Sequence, residues 1–323
     1  MRAIVMEETG GPEVLTWREI EDPEPGPGEA LVAVESAGVN YIDTYHRRGL
    51  YPVSFPFVPG VEGAGTVTAV GEGVTWPVVG DRVAWFGRPG AYAEQAVVDV
   101  DKLVAIPDDI AASLAAAVST QGLTAHYLAR DTFRLAAGDT CLVHAGAGGV
   151  GRLLIQIARH LGVTVYATVS TEEKAAVARD AGANHVILYT EEDFGEACRR
   201  ISGKDRPFDV VYDGVGKTTF DTGLSLIRPR GTMALFGQAS GPVPPVDPQA
   251  LNANGSLFLT RPTLGDHVAT RDELEKRMAS LFAGMAAGWL RIHVGGTWPL
   301  AEAAEAHRAL ESRGTTGKLL LEV

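Results

Sequence analysis

The run Cys141-Leu142-Val143-His144-Ala145-Gly146-Ala147-Gly148-Gly149-Val150-Gly151 constrains this chain more than any other stretch. A short apolar segment enters a glycine-rich turn, and Arg152-Leu153-Leu154-Ile155-Gln156-Ile157-Ala158 continues with helical spacing. Gly146, Gly148 and Gly151 fit G-x-G-x-x-G in the strand–turn–helix context that gives the pattern meaning. The first glycine is expected to permit the tight turn, the second to admit a pyrophosphate, and the third to let helix and strand pack closely. The start of the helix adds unpaired N–H groups and a positive dipole end. Glycine-rich turns also occur without ligands, but this context predicts a dinucleotide site.

At 323 residues the chain exceeds one ordinary core, so two domains are expected. Hydrophobic residues at 46% and charged residues at 21% mark a globular protein. No apolar run reaches the ~18–20 residues of a membrane span, and the early Glu7-Glu8 interrupts any signal-peptide pattern. Cys141 and Cys198 are too few for a disulfide framework or a four-thiolate zinc site, which points to a reducing, cytoplasmic setting. A net charge of −12 without a basic block argues against nonspecific nucleic-acid binding.

The first third reads as short strands, at Leu31–Glu35, Gly65–Val70, Asp81–Trp85 and Tyr92–Val98, punctuated by proline and glycine. That pattern predicts an antiparallel, barrel-like domain, followed from about residue 110 by alanine-rich helix. Beyond it, strands at 140–145, 163–169, 185–189, 208–213, 231–236 and 256–260 alternate with helices at 149–161, 171–181, 192–202 and 217–227. Such alternation predicts a doubly wound parallel sheet, hence an α/β fold. Gly241-Pro242-Val243-Pro244-Pro245 reads as a loop. A helix at 271–287, a strand at 292–298, a helix at 300–311 and a strand at 317–322 close the chain.

The end of the second parallel strand selects the nucleotide. An NAD site places a carboxylate there for the ribose 2′-OH, but Val163–Val169 ends in Ser170-Thr171. Glu172 and Glu173 follow, and Ser170 with Glu173 reads as an S-x-x-E capping box that accounts for the acids. Lys174 stands where an ammonium pairs with a 2′-phosphate, although the same residue also suits a solvated helix face. The balance favours NADPH over NADH.

Taken together, the chain resembles the zinc-independent NADPH:quinone oxidoreductases (zeta-crystallin-like) of the medium-chain dehydrogenase/reductase superfamily. The resemblance rests on Gly10-Gly11-Pro12-Glu13-Val14-Leu15, Gly38-Val39-Asn40-Tyr41-Ile42-Asp43-Thr44-Tyr45, Gly122-Leu123-Thr124-Ala125 and the glycine turn. Val211–Gly216, Leu235-Phe236-Gly237, Gly255–Pro262 and Gly317-Lys318 extend it over nearly the whole chain. It implies a GroES-like β-barrel catalytic domain over 1–122, a Rossmann NADPH-binding domain over 123–263, and a C-terminal return to the catalytic domain over 264–323. Zinc-dependent relatives carry cysteine where this chain has Asn40 and histidine where it has Val61, and the lobe with four structural thiolates is absent. Amide and isopropyl cannot replace thiolate and imidazole as zinc ligands. No metal is therefore expected, and the remaining chemistry is hydride delivery to an electron-poor acceptor such as a quinone, by positioning rather than by a strong base.

The resemblance also implies site residues. Asn40, Tyr45 and Thr124 are the catalytic candidates, with Tyr41 and Asp43 lining the nicotinamide cleft and Tyr127 on the helix that approaches the cofactor. Gly148, Gly149 and Val150 are expected at the pyrophosphate, Ser170 and Lys174 at the adenosine phosphate, and Tyr189 near the adenine ribose. Val215, Phe236 and Gln238 follow strand ends, Thr263 and Leu264 border the nicotinamide, and Arg313 reaches toward a phosphate, with Lys318 a weaker candidate for the same role. The apolar edge Ser256–Thr260 implies a homodimer with a continuous sheet, or a loop of the same chain covering it. The expected partner is a small quinone or another electron-poor acceptor, with neither nucleic acid nor membrane involved. Alternatives are an NADPH-dependent enone, alkenal or enoyl-thioester reductase, and a noncatalytic nucleotide- or RNA-binding protein.

Overall fold

The computed structural model describes residues 1–312 and 314–323. They fall into two compact units: Met1–Leu123 with Val268–Ala286 and Ile292–Val323, and Thr124–His267 with Ala287–Arg291.

The first unit opens with an antiparallel pair, β1 (Arg2–Val5) and β2 (Thr16–Glu19). The long β3 (Glu29–Val39) leads into the short helix α1 (Tyr41–Arg47). Strands β4 (Glu62–Val70), β5 (Arg82–Phe86), β6 (Gln95–Asp99) and β7 (Leu103–Ala105) follow, then α2 (Ala112–Tyr127). On β3, Ala30, Val32 and Val34 point inward at period two. They join Ile4, Val67, Trp85 and Tyr92 in one core. Helix α1 escapes periodicity because Tyr41-Ile42-Asp43-Thr44-Tyr45 is poor in helix formers. Its entry is secured locally: the Asp43 carboxylate accepts the Asn40 N–H at 2.8 Å.

In the second unit, β8 (Thr140–His144), α3 (Gly149–His160), β9 (Thr164–Val169) and α4 (Glu172–Asp180) come first. They are followed by β10 (His185–Leu188), α5 (Phe194–Ser202), β11 (Phe208–Asp213), α6 (Phe220–Ser225) and β12 (Ile227–Leu235). A one-and-a-half-turn helix, α7 (Pro248–Ala253), follows the proline-rich loop and precedes β13 (Phe258–Thr260) and α8 (Leu264–His267). The six strands are all parallel in the order β10-β9-β8-β11-β12-β13. Order reverses between β8 and β11, which is where such sheets bind ligands. Leu142, Tyr166, Ile187, Val211 and Met233 fill the space under the helices.

The chain then adds α9 (Arg271–Ala286), β14 (Val294–Pro299), α10 (Ala303–Glu311) and β15 (Lys318–Glu322). Strand β15 pairs antiparallel with β3, and β14 pairs parallel with β15, so the C-terminal segment completes the seven-stranded sheet of the first unit.

Candidate active site

In the second unit, parallel register brings the strand ends to one edge. His144 pairs with Thr168, Leu188 with Val169, Asp213 with Leu235, and Ala234 with Thr260. The expected Gly148–Val150, Ser170, Tyr189, Val215, Phe236, Gln238 and Thr263 all follow these ends and share that edge.

The glycine turn is built differently from the expected division of labour. Ala145, not a glycine, adopts the left-handed conformation, at φ 54°. Gly146 is required by space instead, since a Cβ there would lie 2.8 Å from the Ala167 methyl. Gly151 does carry the close packing, because its Cβ would fall 2.4 Å from the Ala145 carbonyl oxygen. Gly148 is the N-cap of α3, and its Cβ would meet only that same oxygen, at 3.2 Å. The first-turn N–H groups of α3 therefore head a backbone surface free of side chain, which fits a pyrophosphate.

The residue after β9 behaves differently from a capping box. Thr171 is the N-cap of α4 and its side chain accepts the Lys174 N–H at 3.3 Å. Ser170 is therefore not the cap, and its hydroxyl lies 3.3 Å from Lys174 Nζ. Glu172 pairs with Arg179 on the exposed side of the helix. Thr190 Oγ1 donates to the Ser170 carbonyl at 2.8 Å, and the neighbouring Tyr189 is exposed. The Ser170 hydroxyl and Lys174 ammonium thus meet at a strand end without a carboxylate, a pair that suits a phosphorylated ribose.

Across the reversal point, buried Asp213 organises the exit of β11. Its Oδ1 accepts the N–H groups of Val215 and Gly216 at 2.7 and 2.9 Å, and its Oδ2 accepts Thr219 Oγ1 at 2.8 Å. This carboxylate holds Val215 in place, a role the sequence reading did not assign. Leu264 is buried at the start of α8. Tyr127 is 1% exposed, and one face of its ring stacks on His267 at 4.1 Å. Thr124 is half-buried on α2.

In the first unit, Tyr45 lies edge-on to Tyr51 with centroids 5.5 Å apart, and Tyr41 is 6.5 Å from Tyr45. Tyr51 was not anticipated; exposed tyrosine beside a turn gives little sequence signal. The Tyr41 hydroxyl donates to the Leu310 carbonyl at 3.2 Å. The Asp43 side chain is fully enclosed, so its carboxyl serves the interior of this unit. Burial pushes its carboxyl up to about 7, opposed by the Asn40 N–H and the Lys318 ammonium. Asn40 is also buried, and its amide is spent within the unit. Nδ2 donates to Glu62 Oε1 at 2.6 Å and to the Gly38 carbonyl at 3.4 Å, while Oδ1 accepts Lys318 Nζ at 2.8 Å. Lys318 is therefore an internal partner of Asn40 and Glu62 and does not reach for a phosphate. Arg313 lies outside the described residues.

The GroES-like unit and the parallel nucleotide-type sheet define a medium-chain dehydrogenase/reductase. The chain matches the alcohol dehydrogenase GroES-like domain over residues 26–108 and the zinc-binding dehydrogenase family over residues 149–284. It is 47% identical to a quinone oxidoreductase of Pseudomonas aeruginosa, covering 97% of this chain and 96% of that one. It is 41% identical to a 2-haloacrylate reductase of a Burkholderia species, covering 99% and 98%. Its fold matches the crystal structure of Escherichia coli quinone oxidoreductase complexed with NADPH with a TM-score of 0.97, at 40% identity and complete coverage of both chains. The chain belongs to the quinone oxidoreductase family.

The zinc of the second family's name does not fit these residues. Val61 offers no lone pair, and Asn40 Oδ1 and Glu62 Oε1 are both committed to the Lys318 ammonium, whose charge repels a dication. Among the described residues, no group of three or more His, Cys, Asp or Glu is placed to hold a metal ion.

Proposed function

We propose that this protein is an NADPH-dependent quinone oxidoreductase that works without a metal. The observation that carries the reading is full-length similarity to quinone oxidoreductases joined to a strand end where Ser170 and Lys174 stand in place of an acid. NADPH, when bound, supplies the hydride. Gly148, Gly149 and Val150 hold the pyrophosphate with main-chain N–H groups, and Ser170 and Lys174 bind the 2′-phosphate beside Tyr189. Val215, Phe236, Gln238, Thr263 and Leu264 border the nicotinamide half, and Thr124 orients it. Tyr45 presents its hydroxyl to the acceptor, while Asn40 and Tyr41 set the start of the helix that carries it. Quinone plus hydride plus one proton gives hydroquinone, the proton coming from solvent or a tyrosine hydroxyl.

Steady-state assays test this with 1,4-benzoquinone, 1,2-naphthoquinone, 2-alkenals, 2-haloacrylate and enoyl-CoA, each against NADPH and NADH. Higher kcat/KM for a quinone with NADPH is expected. The similarity to a 2-haloacrylate reductase supports a second reading, reduction of an activated alkene. Preference for an alkenal or haloacrylate over every quinone would establish that reading instead.

The working form in this reading is a cytoplasmic homodimer. Strand β13 is an edge of its sheet with Phe258 63% exposed, a surface suited to pairing with a second copy. Cys141 and Cys198 are buried free thiols, as a reducing compartment keeps them.

A further inference from the structure

Three oxygens converge inside the first unit: the Val39 carbonyl at the end of β3, the Asn40 Oδ1 at the N-cap of α1, and Glu62 Oε1 at the start of β4. Lys318 Nζ reaches all of them, at 3.2 Å from Val39 O, 2.8 Å from Asn40 Oδ1, and in direct contact with Glu62. An ammonium has three hydrogens and no acceptor capacity, so this cage saturates it. The side chains of Lys318 and Glu62 are 1% and 0% exposed. The second Glu62 oxygen accepts the Thr120 N–H at 2.6 Å, which completes the carboxylate's shell. Even the neighbouring glycine is shaped by the arrangement, because a Cβ on Gly38 would strike both Glu62 and the Lys318 stem.

A buried ion pair contributes little net stability compared with apolar residues of equal volume, so its retention calls for a positional reason. The elements it joins supply one. The same C-terminal segment that brings Lys318 to the start of α1 also places the Leu310 carbonyl on Tyr41, and His307 and Glu311 on Arg47 at the helix end. Helix α1 is held at both ends by one return segment.

We propose that Lys318 is a tethered cation filling an oxygen cage made by Val39, Asn40 and Glu62, and that it acts as a positioning residue for α1 and its tyrosines. The cage would accept a free monovalent cation if the tether were removed. The catalytic consequence rests on the quinone-reductase reading; the cation cage itself does not.

The test is chemical rescue of Lys318→Ala at constant ionic strength. Quinone reduction is expected to fall roughly ten- to a hundredfold in kcat, as misplacement of a positioned group does. Ammonium or methylammonium should restore part of that rate saturably, and tetramethylammonium should not. The melting temperature of Lys318→Ala should also rise saturably with ammonium, while the wild type stays unmoved. That readout needs no turnover, so it decides the cage even if the wild type proves unable to reduce quinones, an outcome that would sink only the functional reading. If Lys318→Ala does not fold, the Glu62→Gln/Lys318→Met pair replaces it, with wild-type-like melting but lowered kcat expected. A wild-type rate in either variant, or a folded Lys318→Ala indifferent to small cations in both rate and melting, overturns the proposal.

Discussion

The Tyr92 hydroxyl stands 3.2 Å from Nε2 of His307 and 3.3 Å from Oδ2 of Asp43, and the three groups form a chain of fixed direction. Arg47 Nη1 lies 3.0 Å from His307 Nδ1. A guanidinium only donates, so Nδ1 accepts, Nε2 carries the hydrogen, and Tyr92 passes its own hydrogen to Asp43. Replacing Tyr92 with phenylalanine leaves the His307 N–H unanswered and removes one of the bonds to Asp43. The expected loss is about 1–3 kcal/mol, read as a lower denaturant midpoint. An unchanged midpoint would contradict the directed chain.

The same chain sets a pH response with two opposing parts. The Asp43 carboxyl is raised to about 7 by burial, so the folded state holds a proton that the unfolded state releases above its ordinary range. Its contribution is fully present below the unfolded value and is lost as pH rises toward about 7. His307 is pushed down to about 3, first by burial and then by the Arg47 charge. Its contribution is present above about 6.5 and is lost as pH falls toward 3. Asp43→Asn should therefore leave the His307 part unopposed, so that its melting temperature climbs more steeply with pH between 4 and 7 than that of the wild type. A profile parallel to the wild type over that interval would refute the assignment.

Gly151 and Gly148 should separate folding from binding. An alanine methyl at 151 meets the Ala145 carbonyl at 2.4 Å, a backbone atom that cannot swing aside, so Gly151→Ala should lower the melting temperature by several degrees. At 148 the methyl meets that oxygen at 3.2 Å and otherwise projects over the open backbone surface. Gly148→Ala should keep the melting temperature and lose about tenfold or more in NADPH affinity by calorimetry, since the phosphate then meets a methyl. Equal effects on both properties in both variants would argue against this division.

Coenzyme choice should pass through Lys174. Lys174→Ala is expected to raise KM for NADPH roughly tenfold, about 1.4 kcal/mol of lost charge pairing, and to leave KM for NADH within about twofold. A parallel rise for both coenzymes would show that Lys174 supports the helix rather than the phosphate.

The exposed ring of Phe258 should report the edge-strand contact. Phe258→Glu places a charge beside the unpaired edge of β13 and is expected to convert a dimer to monomers in sedimentation velocity. A variant that sediments with the wild type would move the interface elsewhere.

Much of the fold was legible because its signals are local and repeated. Apolar strands alternate with amphipathic helices from Thr140 to Thr260, and each strand end carries its own turn residues. The glycine turn could be read for the same reason, whereas the Ser170–Glu173 capping box could not, because Thr171 caps α4 instead. Helix α1 and strands β1, β2 and β7 were not legible, being short and stabilised by distant partners such as the antiparallel pairing of β5 with β7.

The chain's own order of residues determined the α/β alternation, the strand–turn–helix setting of the glycine turn, the absence of zinc-type ligands at Asn40 and Val61, and a likeness spanning the whole length. Tertiary structure decided which polar groups are spent internally. Asn40 and Asp43 read as cleft residues until β15 and α10 return to bury them, and Lys318 reads as a weak candidate for a phosphate contact until it is seen against Glu62. Helical and strand spacing are properties of neighbours along the chain, whereas desolvation and ion pairing depend on groups more than two hundred residues apart, which no window of sequence contains.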